Sequence, residues 1–122
     1  MGTPHPRGHR WEAFARAVIS HYGGLCHICG HGGARQPDHV ISIADRPDLA
    51  WKLENCRPAH GAPGNPCPVC TAECGRRVFC NQLRGAMSVG RAQRIIAEWR
   101  EANRGARPPG RPEPDTAAGR PW

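Results

Sequence analysis

Between His9 and Tyr22 the apolar residues Trp11, Phe14, Ala15, Val18, Ile19 and Tyr22 recur at steps of three and four. That period predicts an amphipathic helix, which Gly23-Gly24 should end. A second stripe, Ala92, Ile95, Ile96 and Trp99, predicts another helix running from the N-cap Ser88 to about Asn103. Between the helices the pattern changes. The β-branched Val40, Ile41 and Ile43 predict a short β-hairpin arm over Ala34 to Ile43, with Pro37 suited to an edge. Ala44 to Trp51 reads as a loop from which Trp51 and Leu53 pack back on the core, and the stretch from Cys67 to Cys80 as a cysteine-rich loop. A short helix is expected to begin at Cys80-Asn81-Gln82-Leu83-Arg84. Residues 1–8 and 104–122 are poor in apolar residues and read as disordered tails. The expectation is one small α+β domain over residues 9–103.

Composition sharpens this picture. With 15 Gly and 13 Pro among 122 residues, the ordered part has little apolar material from which to build a core. A structural metal stabilises such domains, because metal-binding free energy becomes folding free energy. Seven cysteines are available, at positions 26, 29, 56, 67, 70, 74 and 80. No apolar run near Met1 has the form of an export signal and none is long enough to span a membrane, so a reducing cytoplasm is the expected compartment. There Cys-x-x-Cys reads as metal ligation, and the odd cysteine number argues against a complete disulfide framework.

Leu25-Cys26-His27-Ile28-Cys29-Gly30 has the form of a zinc knuckle. Its two-residue spacer lets both thiolates reach one tetrahedral ion, and Gly30 relieves the turn. Cys67-Pro68-Val69-Cys70 repeats the spacing, and spacing alone pairs it with Cys26 and Cys29. A separate ion held by Cys67, Cys70, Cys74 and another ligand is a further option. The formal charge is +7, and 16 of the 17 basic residues are Arg. Such an excess suits a polyanion, since the guanidinium fork bonds two phosphate oxygens; a solvated Arg-rich surface accounts for the charge equally well.

Taken in order, Cys26-x-x-Cys29, Asp38-His39, Leu53-x-Asn55 and Cys80-Asn81 resemble the HNH endonucleases, over roughly residues 25–85. The resemblance implies a zinc-bound ββα-metal core, flanked here by N- and C-terminal helices, that hydrolyses DNA phosphodiesters. It implies His39 as general base, Asp38 and Asn81 as ligands of a catalytic Mg²⁺ or Mn²⁺, and Asn55 as the brace of the loop that presents the base. In the same reading Arg57 and Arg84 grip phosphates, Arg84 because Cys-Asn-x-x-Arg-Gly resembles phage-type members. The zinc set that fits it best is Cys26, Cys29, His60 and Cys80, with Cys67 and Cys70 as alternates. The chain departs from the family pattern in a long insertion between His60 and Cys80, and in Cys56, read as a buried thiol where an apolar residue is usual. Phage-type relatives often serve beside a packaging terminase, so DNA and terminase subunits are the implied partners, with no membrane. The rival reading is a non-catalytic zinc-ribbon nucleic-acid-binding protein.

Overall fold

The computed structural model describes residues 6–105. Most of both tails, for which disorder was expected, lies outside that range. The chain runs through helix α1 (His9–His21), strand β1 (Gln36–His39), two 3₁₀ turns (Pro47–Leu49 and Leu53–Asn55), strand β2 (Cys56–Ala59), and helices α2 (Pro68–Cys74), α3 (Cys80–Arg84) and α4 (Val89–Gly105). It is a small mixed α/β fold with a single two-stranded sheet among the described residues.

Helix α1 begins near its predicted position and buries Trp11 and Val18. Gly23 and Gly24 both sit at φ +68, and Gly24 N–H bonds Ile19 O at 2.9 Å. This left-handed turn satisfies a terminal carbonyl and ends the helix. Helix α4 buries Ala92 and Ile96 of the predicted stripe, with Ile95 and Trp99 half-buried. It continues to Gly105, two residues into the stretch read as tail. Its last turn carries an Arg104–Glu101 ion pair at 3.2 Å.

The strands depart from expectation. The residues that carried the β-branched signal, Val40, Ile41 and Ile43, lie beyond β1, and Val40 and Ile41 are 39% and 45% exposed. The ladder forms instead between Gln36–His39 and Cys56–Ala59, antiparallel, with Asp38 opposite Arg57 and His39 opposite Cys56. A 16-residue excursion, Val40 to Asn55, separates the strands where a tight hairpin was expected. The partner strand, Cys-Arg-Pro-Ala, has no hydrophobic alternation to announce it, yet Cys56, Pro58 and Ala59 are buried. The second surprise is α2, which orders the stretch read as a loop. Pro68 suits a first helical turn, Cys70 N–H reaches Cys67 Sγ at 3.4 Å as a cap, and Gly75 at φ +68 closes the helix. Helix α2 packs on α4, fixed by Arg100–Glu73 at 2.9 Å and by Asn103 Nδ2 donating to Glu73 O at 2.9 Å.

Trp51 packs as anticipated, edge-on to Trp11 at 5.3 Å between centroids and beside Phe14 at 5.6 Å, though it stays 45% exposed. Cys56 is fully buried, as expected. Burial, with Asp38 nearby, pushes its thiol up to about 11, so it stays protonated at neutral pH.

Ile96 is the largest aliphatic side chain that α4 buries. Ile96→Ala should therefore cost about 2–5 kcal/mol by urea unfolding, whereas Ile41→Ala on the exposed excursion should cost less than about 0.5 kcal/mol. Equal losses would mean that the α4 face is not the core.

Candidate metal centre and adjoining cleft

Two sets of side chains converge on the Cys26–His31 turn. One is Cys26, Cys29, His60 and Cys80; the other is Cys29, His31, Cys67 and Cys70. Within each set the ligand atoms lie within 4.8 Å of one another. Each member is delivered by a feature of the backbone. Cys26 and Cys29 flank the knuckle turn, closed by Gly30 N–H to Cys26 O at 2.8 Å, and His60 follows the last residue of β2. Cys80 starts α3, and Cys67 and Cys70 stand at the cap and first turn of α2.

The distances suit a tetrahedral ion. Zn–S bonds of about 2.3 Å and Zn–N bonds of about 2.0–2.1 Å set edges of about 3.8 Å between sulfurs and about 3.5 Å from sulfur to nitrogen. In the first set His60 Nδ1 lies 3.5 Å from Cys29 Sγ and 3.8 Å from Cys80 Sγ. In the second, His31 Nδ1 lies 3.4 Å from Cys67 Sγ and 3.5 Å from Cys70 Sγ, with Cys29 and Cys67 sulfurs 3.8 Å apart. The other ring nitrogen of His60, Nε2, donates to Gly32 O at 2.8 Å. That bond fixes the tautomer and turns the Nδ1 lone pair toward the sulfurs, as in metal-bound histidines generally. The clusters can thus hold a metal such as zinc.

In the metal-free chain burial opposes an imidazolium at His60, but hydrogen bonds to Cys26 and Cys67 outweigh it and raise its pKa to about 10, so a metal at Nδ1 would displace a proton. Hydrogen bonding to Cys29, the largest cause in both, holds the Cys26 and Cys70 thiols far below the ordinary range, while hydrogen bonding to Cys26 pushes Cys29 and Cys80 far above it. Thiols crowded this closely cannot all ionise without a positive charge among them.

Of the three zinc arrangements the sequence left open, the first set is assembled as a unit. Cys67 and Cys70 do gather with the knuckle, but through Cys29 and His31 rather than through Cys26. Cys74 joins neither set; its thiol points to Ile96 O at 3.6 Å. Sequence reasoning passed over His31, although Cys29-x-His31 beside a second Cys-x-x-Cys carried the signal.

Alongside the centre runs an open cleft of about 500 Å³, bordered by Asp38, His39, Asn81 and Arg84 and by the excursion residues Val40 to Ile43. His39 Nε2 faces Ala50 O at 3.0 Å. A carbonyl only accepts, so Nε2 carries the proton and Nδ1 the lone pair of the neutral ring. The ring stacks on Trp11 at 5.7 Å. Asn55 is buried and braces the excursion: its Oδ1 accepts from Ile41 N–H at 2.8 Å and its Nδ2 donates to Ile41 O at 3.0 Å. Its own carbonyl takes Val40 N–H at 2.8 Å. Asn81 borders the cleft one residue after Cys80, its backbone N–H on His60 O at 2.9 Å.

Asp38 is 8% exposed, and its Oδ2 accepts from both His27 Nε2 and Arg84 Nη1 at 2.8 Å. Arg84 also donates to His39 O at 3.1 Å and Val40 O at 2.9 Å, while its Nε is buried without a partner. Arg84 therefore holds the strand and its carboxylate. Arg57 does not line the cleft. It donates to Tyr22 Oη at 2.7 Å and to Glu54 and Cys56 carbonyls, with its guanidinium 4.4 Å from the Tyr22 ring centre. His27, which sequence reasoning left without a role, ties the knuckle to Asp38.

The fold and site together define a small mixed α/β domain built around cysteine–histidine clusters with the spacing of a metal centre. No family model matches the chain, and comparison with curated proteins and with solved structures returns no match. Among the described residues no helix is long and apolar enough to cross a membrane.

Two outcomes follow from this geometry. Stripping metal with a chelator should lower the melting temperature and the helical circular dichroism together, because the ligands of both sets hold the ends of α2, α3 and β2. An unchanged melt would mean that the clusters hold no stabilising ion. Arg84→Ala should destabilise the metal-loaded protein by about 1–3 kcal/mol, since it removes the bonds to Asp38 and to the His39 and Val40 carbonyls and leaves Asp38 only His27. A variant of unchanged stability would return Arg84 to the role of surface phosphate contact.

Proposed function

We propose that the chain is a metal-dependent endonuclease of the HNH type that hydrolyses DNA phosphodiesters. The observation that carries this reading is the meeting of Asp38, His39 and Asn81 at one cleft with Asn55 bracing its wall. Hydrolysis needs an activated water and neutralisation of charge on the phosphate. In this reading His39 Nδ1 takes the proton from water, and the Ala50 carbonyl at Nε2 stabilises the imidazolium that forms. Trp11 holds the ring plane. The carboxylate of Asp38 and the amide oxygen of Asn81 are hard donors that suit Mg²⁺ or Mn²⁺. Bound there, such an ion would supply Lewis-acid stabilisation of the phosphate and leaving oxygen. Arg84 and His27, both on Oδ2, hold Asp38 oriented, which leaves Oδ1 as the donor for the cation. The Arg-rich surface and the charge of +7 suit a DNA substrate. A place beside a packaging terminase rests on the resemblance alone, and a cytoplasmic setting on the lack of an export-like or membrane-spanning apolar run.

One observation favours a second reading, a non-catalytic zinc-stabilised nucleic-acid binder. Asp38 already carries two short bonds, as a purely structural carboxylate would.

Plasmid conversion separates the two. With purified protein and Mg²⁺ or Mn²⁺, nicking is expected that disappears without the ion and falls by at least about 100-fold in His39→Ala, the scale of a lost general base. The variant should keep its zinc content and melting temperature. A His39→Ala variant that cuts at the parental rate excludes His39 as base. Absence of cutting with any ion, together with salt-sensitive retardation of DNA, favours the binder.

A further inference from the structure

The two cysteine–histidine sets are not independent, because Cys29 belongs to both. Seven side chains make up the pair of sets, and a zinc ion takes four. One ion therefore cannot use them all. Two ions at separate four-ligand sites would need one ligand more than the chain brings together. We propose that the chain binds two zinc ions as one binuclear centre, with the Cys29 thiolate bridging them. Cys26, His60 and Cys80 complete one ion and His31, Cys67 and Cys70 complete the other.

Three observations carry this. The first is position: Cys29 Sγ is 3.5 Å from His60 Nδ1 on one side and 3.8 Å from Cys67 Sγ on the other. Each distance is an edge of a zinc tetrahedron, so one sulfur occupies a corner of both. The second is that three ligands, His31, Cys67 and Cys70, gather apart from Cys26, His60 and Cys80 and lack only the shared Cys29. Cys67 and Cys70 are fully buried, His31 Nδ1 is aimed between them, and Cys70 N–H bonds Cys67 Sγ as backbone amides bond metal-bound thiolates. The third is charge. Five thiolates facing two divalent ions leave a small net negative charge in the interior, whereas a single ion would leave the remaining thiolates uncompensated or protonated. A bridge also explains why α2 is ordered at all. The Gly- and Pro-rich segment from Gly61 to Pro66 is anchored at its far end by Cys67 and Cys70, so the second ion ties the insertion to the knuckle. The centre is independent of whether the neighbouring cleft cuts DNA.

The test is metal stoichiometry and coupling in the full chain, purified reduced and zinc-replete. Mass spectrometric metal analysis should give two zinc ions per chain, and one per chain overturns the proposal. Replacing zinc by Co²⁺ then reads the bridge. The paramagnetic resonance signal per cobalt should fall as the second equivalent enters, because a shared thiolate couples the two spins. Two ions with undiminished signal per cobalt overturn the bridge. The double variant Cys67→Ser/Cys70→Ser should hold one ion and show an uncoupled cobalt spectrum. Retention of both ions would place the second one elsewhere and refute the assignment. If that variant fails to fold, the stoichiometry and spin coupling of the parent chain still decide.

Discussion

A protein interior this short of aliphatic side chains needs another source of cohesion. Six of the fifteen buried hydrophobic residues are cysteines, and the large apolar members are Trp11, Val18, Ile28, Val78 and Ile96. Burial of so few side chains, at roughly 1.5–3 kcal/mol each, does little against the entropy of ordering about a hundred residues. The sulfur atoms are placed where cross-links have most effect. The knuckle turn, the end of β2, the cap of α2 and the start of α3 are far apart in sequence and meet around Cys29 Sγ. An ion at such a junction closes long loops that weak packing could not hold closed.

That constraint also positions the cleft. His27 lies between two ligand cysteines, so fixing Cys26 and Cys29 fixes the ring that meets Asp38 at 2.8 Å. Asn81 follows Cys80 directly, and its backbone N–H on His60 O joins α3 to the residue after β2. Arg84, one turn further along α3, returns to Asp38 and to the carbonyls of His39 and Val40. The cleft wall therefore inherits its geometry from the cysteine cluster, and the excursion beyond it is held by Asn55.

What the sequence made legible and what it hid follow from the kind of signal each element carries. The two outer helices, α1 and α4, announce themselves by the spacing of their apolar residues, because each buries one stripe against the remainder of the chain. The knuckle was legible through its spacing, whereas Asn55 and Asn81 were singled out only by the resemblance. Strand β2 and helix α2 were not legible. Cys-Arg-Pro-Ala has no alternation although three of its four residues are buried, and the α2 segment buries only Cys70 and Cys74, too few apolar residues to show a helical stripe. The β-branched run at Val40 to Ile43 misled for the complementary reason: strand propensity reports fit to a half-buried pleat, and this segment has no partner strand to supply one. Arg84 and Arg57 were read as phosphate grips since nothing in a linear sequence distinguishes a guanidinium spent on carbonyls from one facing solvent.

The charges kept at the cleft bear on its use. A buried pair such as Asp38–Arg84 seldom stabilises a fold more than well-packed apolar residues of the same volume would, and here Arg84 also leaves Nε buried without a partner. A domain so poor in apolar contacts has little stability with which to offset that cost. Placed at the rim of an open cleft beside His39, the pair does what packing cannot. It holds one carboxylate oxygen fixed while the strand bearing the histidine is pinned through its own carbonyls. A carboxylate held in place next to an imidazole of defined tautomer is what the proposed water activation would use, and the same fixed carboxylate also suits the purely structural role of the rival reading.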